Sequence, residues 1–342
     1  MLTLNLRNDE ITDIQKIAGK LAAQYSSVED SEFHRESFTY AQDLPQRVRL
    51  ALAEYRMSES DGIFLLSGLP VDDLAVGPTP ADWRNKPDTD VRLRHDIAFF
   101  LLGCLLGEPV GWATQQDGRV MHDVLPMRGY EHDQIGLGSE ELLAWHTEDA
   151  FHPLRADYLG LMCLRNHDGV ETTVADIADV RLDEEVRKIL AEPRFYILPD
   201  DSHRPVNGLE TSSLDPRTVE LQRRSSERVD LALDSPEPVA VLFGSPSDPY
   251  VRIDPHYMRA AHGDEEQKAL DAVIAALYAA IGGVVLQPGD ICFLDNFRVV
   301  HGRKPFRARF DGTDRWLRRL NIVRDLRKSR EVRLDARSRI IY

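Results

Sequence analysis

Residues 288–303 read PGDICFLDNFRVVHGR, and the prediction of the fold starts from the turn and strands that they indicate. Pro288-Gly289-Asp290 has the composition of a turn, and the ICFLDN that begins at its end is a short apolar run typical of a buried strand. Arg298–His301 predicts a second strand, which leads into HGRKPF. The stretch therefore predicts a hairpin, late in the chain, that is closed by His301.

Short strands separated by turns are also predicted upstream of this hairpin, from about Gly111 onward. The candidates are Tyr158–Leu164, Phe195–Leu198, Val239–Phe243, Val284–Leu286 and Ile291–Leu294. One helix interrupts them, because apolar side chains recur at i, i+3 and i+4 from Leu270 to Ile281. Gly282-Gly283 is expected to end that helix.

The first hundred residues are more helical. The predicted helices are Ile11–Leu21, Pro45–Met57 and Asp96–Leu106, with one buried strand at Ile63–Gly68. Helices followed by many short strands predict an α+β protein with a double-stranded β-helix (jelly-roll) core and flanking helices.

No shift in composition marks a linker between domains. We therefore expect a single domain over residues 1–342, with a mainly helical N-terminal part at 1–110 and the jelly-roll core at 111–342. Asp200–Thr218 is polar and rich in turn residues, which predicts a surface loop or a lid at about 200–218.

A candidate metal site comes from the spacing of histidines and acids. Three His-x-acid pairs begin at His34, His146 and His262. In an extended strand residues i and i+2 point to the same side, so each pair could chelate one ion. His34 lies in a charged stretch, and His262 precedes the acidic start of a predicted helix. Only His146-Thr147-Glu148 follows an apolar segment (ELLAW) and borders an aromatic one (AFHP).

His301 would complete a triad with His146 and Glu148, because a jelly roll brings its last strands back against its early ones. Two histidines and one carboxylate with open positions are typical of non-haem iron(II) oxygenases. Arg315 could then bind the far carboxylate of a dicarboxylate cosubstrate, since arginine pairs bidentately with carboxylates and stays charged. A zinc hydrolase and a non-catalytic jelly-roll binding protein remain as alternatives.

The composition limits the classes of partner. A formal net charge of −15 argues against nucleic acid and anionic membranes and suits a cationic small substrate. The longest uncharged apolar stretch, Ile97–Leu106, is too short to span a bilayer, and the N-terminal residues do not resemble a signal peptide. We expect a cytoplasmic protein whose three cysteines are buried in a reducing compartment. They are Cys104, Cys163 and Cys292.

From about Val71 onward the sequence resembles the clavaminate synthase-like branch of the iron(II)/2-oxoglutarate-dependent oxygenases. It is most similar to the β-hydroxylases of peptide-antibiotic pathways that act on free L-arginine or close derivatives. The segments that carry the resemblance, in order, are PVDDLAVGPTPADWR, GWATQQDGRVMHDVLP, WHTEDAFHPLRADYLGL, RNHDGVETT, PDDSH, VRIDP, GDICFLDN, VVHGR and DGTDRWLRRLNIVRDL. The resemblance implies Fe(II), 2-oxoglutarate and O2, and hydroxylation of an amino acid.

The resemblance also implies roles for single residues around the metal. His146, Glu148 and His301 are similar to the iron triad, and Glu148 is expected beside the substrate as well. Arg315 resembles the arginine that binds the distal carboxylate of 2-oxoglutarate, with Thr172 as its hydroxyl partner.

For the amino acid, Arg319 resembles the residue that holds the α-carboxylate, and Gln115 lies where the family contacts the substrate backbone. Asp254 matches the acid that binds the guanidinium, but His256 stands where the arginine hydroxylases have a second acid. A neutral imidazole offers one acceptor and no full charge. Two substrates therefore remain: L-arginine, which we favour, hydroxylated at C3 or a neighbouring carbon, and the cyclic derivative enduracididine.

Overall fold

The computed structural model describes residues 1–200, 203, 216–260 and 263–342. Its larger sheet has eight strands. Seven run in the spatial order β1 (Leu2–Asn5), β2 (Ile63–Ser67), β13 (Ile291–Asp295), β6 (Tyr158–Arg165), β15 (Trp316–Val323), β3 (Glu108–Trp112) and β16 (Ile340–Ile341), and β4 (Met121–Val124) also pairs with β15. β15 is antiparallel to β6, β3 and β4, so it lies in the interior of the sheet.

A second sheet has four strands, all antiparallel to their neighbours. Their spatial order is β12 (Gly282–Val284), β7 (Thr172–Asp176), β14 (Val299–Arg303) and β5 (Leu143–His146). Two further strand pairs lie outside these sheets. They are β8 (Phe195–Ile197) with β11 (Met258–Ala260) and β9 (Leu242–Gly244) with β10 (Pro249–Val251).

The prediction of a hairpin at 291–301 is wrong. β13 pairs with β2 and β6 in the larger sheet, whereas β14 pairs with β5 and β7 in the smaller one. The short turn between these strands therefore carries the chain from one sheet to the other. Every residue of both strands is buried, which fits strands covered on both faces rather than a hairpin with one face in solvent.

Eight helices occur in the described residues. They are α1 (Asn8–Ala22), α2 (Ser31–Ala41), α3 (Gln46–Ser58), α4 (Asp73–Val76), α5 (Asp90–Cys104), α6 (Glu184–Leu190), α7 (Pro216–Asp234) and α8 (Gly263–Ala280). Side-chain caps explain where two of them begin, since Asp30 accepts from backbone amides of α2 and Thr89 accepts from the amide of Arg92 in α5. No helix of the described part is both long and apolar enough to cross a bilayer.

The sheets and helices form layers. One apolar cluster joins α1, α2, α3 and α5 to the larger sheet; at its centre a Cβ on Gly160 would lie 3.0 Å from the rings of Phe99 and Phe293. A second cluster, with Leu161 and Val174, lies between the two sheets. A third packs α8 against Val300 on the outer side of the smaller sheet. The smaller sheet is therefore enclosed between the larger sheet and α8.

Several predicted boundaries are displaced. α5 begins at Asp90, and Gly282-Gly283 start β12 instead of only ending the helix. A Cβ on Gly283 would collide with the side chain of Glu171, which lies just before β7. The strand predicted at Val239–Phe243 is β9, shifted toward the C-terminus, with Val239 forming only a bridge to Phe195.

Most of the predicted loop or lid at about 200–218 lies outside the described residues. Its last residues are helical, because α7 begins at Pro216 and buries Thr218. α7 was not predicted from the sequence, because polar and charged residues dominate it and its buried face is narrow. The three cysteines are buried and free, as predicted.

Candidate active site

Three of the predicted site residues come together at one end of the space between the sheets. β5 and β14 are neighbours, and their register places His301 directly opposite His146. One carboxylate oxygen of Glu148, Oε2, lies 3.7 Å from Nε2 of His146 and 3.4 Å from Nε2 of His301. The three candidate ligand atoms all lie within 4.8 Å of one another, which fits a single metal ion.

The His146 ring is oriented by its other nitrogen. Nδ1 lies 2.8 Å from the carbonyl oxygen of Ala144, which can only accept, so Nδ1 carries a proton and Nε2 is the ring nitrogen that faces Glu148. Burial alone would raise the pKa of Glu148, but the charge of Arg319 and the contacts with both histidines hold this pKa well below its usual range. The site therefore offers two imidazoles and one carboxylate anion, a set suited to Fe(II).

Two residues for which no role was predicted, Thr147 and Asn296, fix the backbone at Glu148. Thr147 extends the strand by donating its amide to the carbonyl of Ile253, at 2.9 Å. Asn296, in the turn after β13, accepts from the Glu148 amide at 2.6 Å and donates to its carbonyl at 3.0 Å and to that of Ala156 at 2.9 Å. These contacts fix the backbone at Glu148, whose carboxylate faces both His146 and His301.

Arg315 and Thr172 lie together on the wall of the same cavity. The Arg315 guanidinium donates to the Thr172 hydroxyl at 3.0 Å, and its Nε has no hydrogen-bond partner in the described part of the chain. Burial lowers the pKa of Arg315 to about 10, which still leaves it charged at neutral pH. A buried cation without an acidic partner among the described residues is a site for an anionic ligand.

Arg319 lies on the cavity face of β15, while its neighbour Arg318 points to the opposite side. Arg319 donates to the second oxygen of Glu148, Oε1, at 2.6 Å and to Oε1 of Gln115 at 2.7 Å. It also donates to Nδ1 of His122 at 2.6 Å. The other ring nitrogen of His122, Nε2, faces the carbonyl of Arg119. The Nε of Arg319 is buried without a partner among the described residues, so a donor remains for a ligand.

A second polar group, Asp149 with His203, adjoins the triad and was not predicted from the sequence. Asp149 adopts φ 48° and is buried. Its carboxylate accepts from Nε1 of Trp112 at 2.5 Å and lies 2.8 Å from Nε2 of His203. His203 also contacts Thr114 and Gln115. Gln115 and Asp149 line the cavity together with Asp200, which adds a further carboxylate to its wall.

The two residues predicted to bind the guanidinium are placed differently. Asp254 is buried, and its Oδ1 caps a turn by accepting from the amides of His256 and Tyr257 at 3.1 and 3.2 Å. Its second oxygen makes no hydrogen bond to a described residue. The His256 side chain is exposed and packs edge-on against Tyr257, and neither His256 nor Asp254 is among the described residues that line the cavity.

Two relatives match the chain over nearly its whole length. An enduracididine beta-hydroxylase from Streptomyces hygroscopicus is 62% identical over 342 residues, 100% of both chains. An L-ornithine/L-arginine 3-hydroxylase from Catenulispora acidiphila is 44% identical over 324 residues, 94% of each chain.

Solved structures of the non-heme iron oxygenase OrfP share the fold. Its complex with Fe, succinate and (3S)-hydroxy-L-Arg superposes with a TM-score of 0.91 at 38% identity, covering 100% of both chains. Its complex with Fe and alpha-ketoglutaric acid gives 0.87 at 37%, covering 99% of this chain and 100% of OrfP. A family model, taurine catabolism dioxygenase TauD, TfdA family, matches residues 34–321. The chain belongs to this family and is a 2-oxoglutarate-dependent non-haem iron oxygenase.

Proposed function

We propose that this oxygenase hydroxylates a free amino acid whose side chain ends in a guanidine group, at C3 or a neighbouring carbon. The observation that carries the chemistry is the metal triad in one cavity with Arg315, a buried cation that has no acidic partner among the described residues. The acids on and near the cavity wall, together with the two relatives, support the substrate class. Neither a zinc hydrolase nor a non-catalytic binding protein accounts for family membership together with all three ligands and Arg315.

His146, Glu148 and His301 would hold Fe(II), which with 2-oxoglutarate and O2 supplies the oxidising power for hydroxylation. The protein positions its ligands and excludes water. Arg319 engages Oε1 of Glu148 and leaves Oε2 for the metal, so the carboxylate is directed to bind through one oxygen. Arg315 would anchor the distal carboxylate of 2-oxoglutarate, with the Thr172 hydroxyl holding the guanidinium in place.

The substrate would lie between Arg319 and Asp254. The Nε–H of Arg319, which has no partner among the described residues, suits the substrate α-carboxylate. Gln115 accepts a hydrogen bond from Arg319 and lies close enough to contact the substrate backbone. Asp254 would accept the guanidinium through the oxygen that the turn does not use, since a carboxylate matches the fork of a guanidinium. His256 would contribute to recognition only if its side chain turned toward the ligand.

Two substrates are candidates, and a specific observation supports each. The OrfP complexes with hydroxylated L-Arg support L-arginine. The 62% identical relative, an enduracididine beta-hydroxylase, supports the cyclic derivative. A single carboxylate at Asp254 suits a cyclic guanidine, which presents fewer N–H donors than arginine.

Direct competition tests the proposal. Equal amounts of L-arginine and enduracididine are incubated with enzyme, Fe(II) and 2-oxoglutarate, and the products are identified by mass spectrometry and by the position of the new hydroxyl. We expect one added oxygen at C3 or its neighbour, with one succinate formed per hydroxylation. His256→Asp should shift the preference toward arginine. Turnover of neither amino acid would refute the guanidine assignment.

We further propose that the two facing sheets are the halves of a jelly-roll core and that residues 1–342 form one domain. The apolar cluster between the sheets and the eight-stranded sheet, which combines β1 and β2 with later strands, support this organisation. A cytoplasmic location is part of the same proposal and is supported by the three free, buried cysteines.

A further inference from the structure

The end of the cavity that contains Arg315 holds a second buried arginine. Arg303, the last residue of β14, is 4% exposed and lines the same cavity as Arg315. The register of β14 and β7 places Arg303 opposite Thr172. The hydroxyl of that threonine accepts from Arg315. Both guanidinium-bearing residues therefore adjoin the same threonine.

Neither arginine has an acidic partner among the described residues. Arg303 donates to the backbone carbonyls of Gly138 at 2.6 Å and Glu141 at 3.0 Å, and it lies over the ring of Phe306. Its Nε, like that of Arg315, is buried without a hydrogen-bond partner in the described part of the chain. Burial lowers the pKa of Arg303 to about 10, and the charge of Arg315 acts in the same direction.

Two uncompensated positive charges at one end of a cavity favour a strongly anionic ligand group. Burying a charge is costly unless an opposite charge lies close by, and the carbonyls that hold Arg303 carry only partial charges. The metal triad lines the same cavity and would hold the keto-acid end of 2-oxoglutarate through the iron. The distal carboxylate is then the group available to balance both arginines.

We propose that Arg303 is a second cation of the 2-oxoglutarate pocket, which increases the pocket's preference for a charged distal group over an uncharged one. The two carbonyl contacts orient the guanidinium and leave its Nε–H for the ligand. The same contacts tie β14 to the segment just before β5, so the pocket and the strand that ends at His146 are positioned together. This inference rests on the proposed function.

Ligand binding without turnover tests the role of Arg303. Iron(II)-loaded protein is titrated without oxygen, by calorimetry, with 2-oxoglutarate and with 2-oxopentanoate, which has the same chain length but no distal carboxylate. Arg303→Met should weaken 2-oxoglutarate binding about ten-fold or more, the effect of one charge-assisted contact. It should leave 2-oxopentanoate binding unchanged. Arg303→Gln should behave like Arg303→Met, whereas Arg303→Lys should retain most of the affinity.

Arg333→Met is the matched control. Arg333 is a buried arginine that also donates to backbone carbonyls, but it lies away from the cavity. This control should leave the affinity for both acids unchanged. Equal losses for both acids in Arg303→Met, or equal losses in Arg303→Lys and Arg303→Gln, would mean that Arg303 only holds the backbone, and the proposal would fall. If the wild type bound both acids equally, the cosubstrate site itself would be refuted.

Discussion

His146 and His301 are cross-strand neighbours that both face one oxygen of Glu148, and each is expected to supply a metal bond. His146→Ala or His301→Ala should abolish succinate formation and hydroxylation, because a facial site with one ligand missing no longer holds iron firmly. Iron content after dialysis and circular dichroism measure the loss and the fold. His167→Ala, at an exposed histidine, is the control and should retain iron and activity. Full activity in either ligand variant would refute the triad.

Arg315 and Arg319 should fail in different ways. Arg315→Ala should raise KM for 2-oxoglutarate by an amount that corresponds to about 2–3 kcal/mol, since one charge-assisted anchor is lost. Arg319→Ala should mainly raise KM for the amino acid, and it should also weaken iron binding because Arg319 holds Oε1 of Glu148. Steady-state kinetics with each ligand varied in turn, together with iron titrations, separate the two. Identical kinetic defects in both variants would contradict these roles.

At the scale of elements, the turn after β13 reaches across to the metal site. Asn296→Ala removes three hydrogen bonds that fix the backbone at Glu148 and Ala156, so iron affinity should fall about 10–100-fold, as for other residues that orient metal ligands.

Asn166→Ala provides the control, because Asn166 is a buried asparagine with three comparable backbone bonds far from the triad. Both variants should lose similar stability in urea, and only Asn296→Ala should lose iron affinity. Equal iron affinity in the two would reduce Asn296 to a general structural role.

At the scale of the whole molecule, buried charges connect the helical layer to the larger sheet. Arg318 on β15 donates to Asp96 of α5 at 2.7 and 3.1 Å and to Asp123 of β4. Although burial acts to raise it, the pKa of Asp123 is held at about 2 by the charges of Arg318 and Lys86. This network fixes the side of β15 opposite to Arg319 and so positions the strand that carries Arg319 and directly follows Arg315.

Arg318→Met should lower the free energy of unfolding at pH 7 by about 3–5 kcal/mol, because two buried carboxylates lose the cation that they share. A folded pKa below the unfolded value of roughly 4 stabilises the fold above that pH, and this stability is lost as the pH falls toward 2. The difference between wild type and variant should therefore shrink below about pH 4. Urea unfolding across this range measures it.

Arg324→Met is the control, because the Arg324 side chain makes an exposed 3.8 Å pair with Glu59, and its loss should cost less than about 1 kcal/mol. A pH-independent difference between wild type and Arg318→Met would contradict the assigned linkage.

The candidate iron ligands and the class of reaction could be predicted from the amino-acid sequence. Glu148 follows His146 by two residues, just after the end of β5, and this spacing in an extended segment predicted that both side chains lie on one face. The order of motifs identified His301, Arg315 and Thr172, and the structure brings all five into one cavity. Helices such as α1 and α3 were also predictable, because their buried apolar residues recur at the spacing of one helical turn.

The pairing of the strands, in contrast, could not be predicted and is known from the tertiary structure. The segment 288–303 has the local signals of a hairpin, yet its two strands belong to different sheets, because pairing depends on partners far away in the chain. For the same reason Asn296, His122 and Arg303 carried no local signal of their roles. Each acts through backbone or side-chain groups more than a hundred residues away, and such contacts exist only once the sheets have packed.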